Sequence, residues 1–359
     1  MKNNYFLLSH IGKKELVLVT VLIDKRITKK RIVSNNNVFS FDIEESTDYF
    51  YFLIGRTKSD YLYPNSLSNK YELSFNNKIN SYTISVFNEF EPGIYEEYSI
   101  NNDRILPKYI KNQKFWTYIP KNIDKNKKLG LIISFDGQNA FFHGKYKNKN
   151  IYQGTQLDII ADILSNKYHK NYMILGIDNG HKYRSKELTM SSNFGELQFD
   201  KLKNTNNDFN DGFLEEYMEF IIKRIIPQIE SKYNIEKSSI GIIGESSGGL
   251  ASYYSLIKYP SLFSFGIILS PAFPFFKKDD LLTFYKNNIL NKNKRPKIYL
   301  YSGNITNLEK IICKSTLDLY ENLRMFQQIN LRINYQAKHN EVAWRIAINE
   351  GIKKVLLEY

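Results

Sequence analysis

The hydrophobic pattern changes character once along the chain. Over roughly the first 95 residues, short runs rich in Val, Ile, Tyr and Phe stand between polar clusters. ELVLVTVLID, VFSFDIE, DYFYFLIG and SYTISVFNEF are such runs, and Ser34-Asn35-Asn36-Asn37 is one of the separators. This spacing predicts a small antiparallel, sandwich-like all-β domain. From about residue 100, strand-like runs alternate with helical ones. Strands are predicted at 115–119, 129–135, 172–177, 239–243, 265–269, 297–301 and 331–335, and helices at 214–233, 247–258, 314–327 and 342–358. Several of the strands are unbroken apolar runs (LIISF, YMILGI, IGII, FGIIL), as in sheets covered on both faces. Alternation of this kind predicts an α/β fold with a mostly parallel sheet and helices on both sides. The chain therefore divides into a β domain over 1–98 and an α/β domain over 99–359. The polar stretches 144–150 and 200–211 read as loops on the side where a substrate would enter.

The sharpest local signal is Gly244-Glu245-Ser246-Ser247-Gly248-Gly249, between a buried strand and a helix. G-x-S-x-G alone is common. In a strand–turn–helix context it is a nucleophile elbow, with the serine on a sharp turn and small residues two positions either side. Ser246 is thus the candidate nucleophile. Ser247 occupies the x position, where its backbone N–H at the helix start is expected to serve as an oxyanion donor.

In α/β-hydrolases the base follows the nucleophile and the acid along the chain. Of His10, His143, His169, His181 and His339, only His339 lies after Ser246. It sits between the 331–335 strand and the last helix, in a loop expected at the carboxyl edge of the sheet. The acid belongs past the penultimate strand, which points to Glu309 in Ser302-Gly303-Asn304-Ile305-Thr306-Asn307-Leu308-Glu309. Its role would be to orient and charge-stabilise the imidazole. Asp318 falls inside a helix, and Asp279 and Asp280 precede the strand. A Ser–His dyad is the alternative.

Several segments resemble the esterase D or enterochelin-esterase-like branch of the α/β-hydrolases. Phe135-Asp136-Gly137-Gln138-Asn139-Ala140-Phe141 is similar to its H-D-G-Q-N-x-F loop, with Phe135 in place of the histidine. Ile177-Asp178-Asn179-Gly180, Arg184 and Glu187 look like its I-D-N-x-x-x-R-x-x-E element. Ile226-Pro227-Gln228-Ile229-Glu230 with Tyr233, the elbow, YSGNITNLE and KHNEVAWR, with Trp344 after the histidine, complete the set. The likeness covers about 110–359 and departs at YSGNITNLE, where the gap from glycine to Glu309 is longer than usual. The resemblance implies a serine esterase acting on a sugar acyl ester, a siderophore-like lactone or a short acyl ester. It implies that the Asp136 loop supplies the second oxyanion N–H, at Gln138. Arg184, Glu187, Asp136 and Trp344 would support the site or contact substrate, with a structural role for Arg184 and Glu187 ranked higher.

Composition changes this picture little. Hydrophobic residues make up 42% of the chain, enough for a full core. The net charge of +13 is spread through a Lys- and Asn-rich sequence without a compact basic motif, so no nucleic-acid partner is expected. Cys313 is the only cysteine, which excludes an intrachain disulfide and suits a reducing, cytoplasmic setting. No apolar run is long enough for a membrane span. His143 and His181 show no metal-ligand spacing, and neither metal nor organic cofactor is expected. The rival readings are an acyltransferase of the same fold and a non-catalytic binding member.

Overall fold

The computed structural model describes residues 93–358, apart from 103–105, 107–109, 122, 124–126, 142–153, 199–210, 290–294 and 336. Of the first 92 residues it describes the strands Lys2–Ser9, Val17–Ile23, Arg26–Ile32, Val38–Ile43, Tyr49–Gly55, Tyr61–Leu62, Glu72–Ser74 and Ser81–Ser85. Lys2–Ser9 pairs antiparallel with Val38–Ile43 and parallel with Ser81–Ser85. Val17–Ile23 lies antiparallel between Arg26–Ile32 and Tyr49–Gly55.

The remaining strands form one eight-stranded sheet. They are β1 (Ile94–Asn101), β2 (Asn112–Ile119), β3 (Leu129–Ser134), β4 (Tyr172–Ile177), β5 (Ile235–Glu245), β6 (Phe265–Leu269), β7 (Lys297–Gly303) and β8 (Ile329–Asn334). Their order across the sheet is β8-β7-β6-β5-β3-β4-β2-β1. β2 runs antiparallel to both neighbours, and the pairs from β4 to β8 are parallel. The sheet reaches back to Ile94, so the 98/99 junction falls inside its first strand. β1 escapes the sequence pattern because it is an edge strand whose residues are exposed or half-buried and none fully buried.

The helices are α1 (Leu157–Tyr168), α2 (Arg184–Glu187), α3 (Leu214–Phe220), α4 (Ile226–Glu230), α5 (Ser247–Lys258), α6 (Lys278–Ile289), α7 (Asn307–Leu323) and α8 (Glu341–Ile352). A π-helical turn, Ile221–Ile225, joins α3 to α4. Pro227 is the physical reason: it brings no N–H, and its ring crowds the preceding turn, which widens to accommodate it. Every residue of β3, β4 and β6 is buried. Successive side chains point to opposite faces, so Leu131 and Ile133 enter one core while Ile132 enters the other. Helices cover both faces, as the unbroken apolar runs require.

α7 begins seven residues earlier than its periodicity suggests. Thr306 caps it by accepting from the Glu309 N–H, which places Glu309 in the first helical turn. Because the strands from β3 to β8 are parallel, their carboxyl ends share one edge. The turns after β3, β5, β6, β7 and β8 therefore gather there.

Candidate active site

The elbow follows from backbone sterics. Ser246 stands between β5 and α5 with φ 57° and ψ −119°, a conformation non-glycine residues hold only under constraint. The constraint comes from both sides. Its N–H donates to the Leu269 carbonyl at 2.9 Å, and its own carbonyl accepts from Ala272 N at 2.9 Å. The glycines are required by contact. A Cβ on Gly244 would lie 2.1 Å from the Gly248 carbonyl oxygen. One on Gly249 would press on the Leu269 oxygen at 3.0 Å. Ser247 opens α5, where the first backbone N–H groups have no intrahelical acceptor and the dipole presents its positive end.

Glu309 and His339 come together from the turns after β7 and β8. His339 Nδ1 lies 2.7 Å from Glu309 Oε1, and Glu309 is fully buried. The Ser302 hydroxyl donates to Glu309 Oε2 at 3.1 Å. The carboxylate is thus held at both oxygens, which favours a proton on Nδ1 and leaves Nε2 as the acceptor. Gly303 makes room: a Cβ there would meet the Ala337 carbonyl oxygen at 2.6 Å and the Glu309 carboxyl carbon at 3.0 Å. Asp318 is exposed on α7 and Asp279 is exposed on α6.

Trp344 connects this pair to the elbow. Its ring stands edge-on to His339 at 4.9 Å, and its indole N–H donates to Ser270 Oγ at 3.2 Å. Ser270 begins the turn after β6, whose Leu269 and Ala272 hold the Ser246 backbone. Among the described residues no hydrogen bond joins the Ser246 hydroxyl to His339.

The Asp136 loop is built as a clamp. Gly137–Asn139 forms a 3-10 turn, and Asp136 leads into it at φ 50°. Gly137 packs so tightly on β4 that a Cβ would lie 2.2 Å from the Gly176 backbone. Arg184 grips Asp136 with two bonds, Nε to Oδ1 and Nη2 to Oδ2, both 2.6 Å. Asn179 Nδ2 donates to the same carboxylate at 2.5 Å, and the Asn179 N–H donates to Gln138 Oε1 at 3.3 Å. Glu187 is buried and accepts from Gly180 N at 2.5 Å; burial raises its carboxyl to about 7. Arg184 and Glu187 therefore bind parts of the protein itself.

Three residues beside the site carry no sequence motif. Ser302 and Ser270 sit at the ends of strands, where only tertiary structure reveals their partners. Glu245 precedes Ser246 and is buried. Burial raises its carboxyl to about 8, aided by Asp136 and Glu341 and opposed by Arg184. An acidic residue directly after the apolar run at 240–244 was the available signal. His143, weighed above for metal-ligand spacing, lies outside the described residues. Among the described residues no cluster of His, Cys, Asp or Glu is arranged to hold a metal ion.

Comparison with known proteins bears on this site. The model of the family described as "Putative esterase" matches residues 111–354. A stretch of 49 residues is 45% identical to "Uncharacterized protein YbbA" of Bacillus subtilis (strain 168), taking in 13% of this chain and 20% of that protein's length. Among solved structures, an IroE-like serine hydrolase from Shewanella oneidensis is similar with a TM-score of 0.56 at 16% identity, over 72% of this chain and 79% of its own. Ferric enterobactin esterase (fes) from Salmonella typhimurium is similar with a TM-score of 0.55 at 13% identity, over 98% of this chain and 92% of its own. At such identities the likeness is one of fold.

Proposed function

Because the chain belongs to the "Putative esterase" family and is accordingly an ester-hydrolysing enzyme, we propose that it works through Ser246 as nucleophile, His339 as base and Glu309 as the acid that orients the base. The observation that carries this reading is the 2.7 Å pairing of fully buried Glu309 with part-buried His339 at the sheet edge that also bears the elbow. The chemistry is acyl transfer to water. His339 Nε2 takes the Ser246 proton as Oγ attacks the ester carbonyl. The oxyanion forms between the N–H groups of Ser247 and Gln138. The imidazolium returns its proton to the leaving alcohol, and an acyl-enzyme remains. His339 then activates water, which releases the acid and restores the serine.

The substrate class is a small-molecule carboxylic ester: a sugar acyl ester, a siderophore-like lactone or a short acyl ester. The loops expected to shape its pocket, 143–155 and 190–212, fall largely outside the described residues. In the same proposal, residues 1–98 form a separate β domain and 99–359 the catalytic domain, which draws its first strand from across that junction. None of the described helices is long and apolar enough to cross a membrane.

Labelling with a fluorophosphonate probe tests the reading, alongside hydrolysis of p-nitrophenyl esters from acetate to octanoate. Wild type should label and hydrolyse, and Ser246→Ala should do neither while keeping its circular dichroism spectrum. A folded wild type that resists the probe and leaves every ester intact would sink the serine mechanism.

A further inference from the structure

Glu245 is the least expected group beside the nucleophile. It is 5% exposed, and its Oε1 has no hydrogen-bond partner among the described residues. Charged groups face it from three elements: Asp136 after β3, Arg184 on α2 and Glu341 at the start of α8. Arg184 in turn faces Asp136, Glu245 and Glu187 together. The guanidinium bonds only Asp136 directly and attracts the other two buried carboxyls through space. A low-dielectric pocket cannot hold all three ionised around a single cation.

The geometry makes this competition matter for catalysis. β3 and β5 are neighbouring parallel strands in which Ser134 pairs with Ile243. Asp136 and Glu245 therefore leave the sheet side by side. Asp136 opens the turn that carries Gln138, and its Oδ2 would lie 3.6 Å from a Cβ on Gly248. The Arg184–Asp136 clamp thus sits against both the oxyanion loop and the elbow helix.

We propose that Glu245 is a positioning residue: its uncharged carboxyl leaves Arg184 committed to Asp136, which keeps the oxyanion loop seated against the elbow. The proposal rests on the Ser246 reading above. When Glu245 loses its proton to solvent, the carboxylate competes for the guanidinium and the Asp136 loop loosens. The new charge also opposes the developing oxyanion. Both effects act on the transition state more than on bound substrate, so they lower kcat and leave KM nearly unchanged. Burial places the change in mildly alkaline solution, near the value of about 8 given above.

The test uses the full chain and Glu245→Gln, which keeps the shape and removes the charge. Hydrolysis of p-nitrophenyl acetate is followed between about pH 6 and about pH 9. Wild-type kcat should fall on the alkaline side at nearly constant KM. In Glu245→Gln that fall should disappear or move up by about one pH unit or more. An alkaline limb left unmoved in the variant overturns the proposal. Thermal unfolding of the same pair needs no activity. A carboxyl raised in the folded state stabilises it at low pH and ceases to do so as pH rises through the folded value. The Tm of Glu245→Gln should therefore gain on wild type as pH rises, and a difference independent of pH overturns the proposal. Absence of hydrolysis by wild type strikes the Ser246 reading instead, and the unfolding curves still decide whether Glu245 is held uncharged.

Discussion

Glu309 shows how one side chain draws meaning from its partners. It was legible in the sequence as a carboxyl past the penultimate strand, although an exposed glutamate at a helix start would read the same way. Full burial, the Ser302 hydroxyl on one oxygen and His339 Nδ1 on the other separate the two. An uncharged amide would hold the imidazole less firmly and would not stabilise its cation. Glu309→Gln is therefore expected to lower kcat by about 10²–10⁴ with little change in KM. Steady-state kinetics on the folded variant check this, and a loss of less than about threefold would move the acid elsewhere. As candidates, Ser246 and His339 were legible from motif and chain order. Ser302, Ser270 and Glu245 were not, because no spacing rule connects residues that meet only through the sheet.

At the scale of the element, α7 and α8 are positioned by their caps. The Thr306 side chain accepts from Glu309 N, and the Asn340 side chain accepts from Ala343 N. Each cap lies within three residues of a proposed catalytic side chain, so each sets both a helix start and an active-site turn. Thr306→Ala should cost about 1 kcal/mol in urea denaturation. It should also lower kcat several-fold, because the freed amide belongs to Glu309 itself. A variant destabilised to that degree with wild-type kcat would separate the cap from the site. The early start of α7 was hidden from periodicity, because Thr306-Asn307 reads as loop until its hydrogen bond is known. α5 was plain because the apolar strand before it and the paired glycines leave one solution for the backbone.

Over the whole molecule the buried carboxyls set a pH dependence of folding. Burial raises Glu187 to about 7 and Glu245 to about 8, and raises Asp178 and Glu215 as well. The folded state thus binds more protons than the unfolded chain above the ordinary carboxyl range. Stability should fall, by an amount on the order of a few kcal/mol, as pH rises from about 5 to about 8. Urea midpoints across that window check the sign, and a midpoint that climbs with pH would refute it. Local sequence determined the α/β alternation, the buried strands, the elbow and the identity of the one histidine beyond it. These depend on periodicity, on backbone sterics and on chain order, all of which are written in neighbouring residues. Tertiary structure alone decided that Glu309 is buried against His339, that Trp344 ties this pair to the elbow, and that Arg184 clamps Asp136 while Glu187 and Glu245 are buried. Those facts depend on which strand ends the crossovers bring to one edge and on how much water is excluded there, and neither is a property of any short segment.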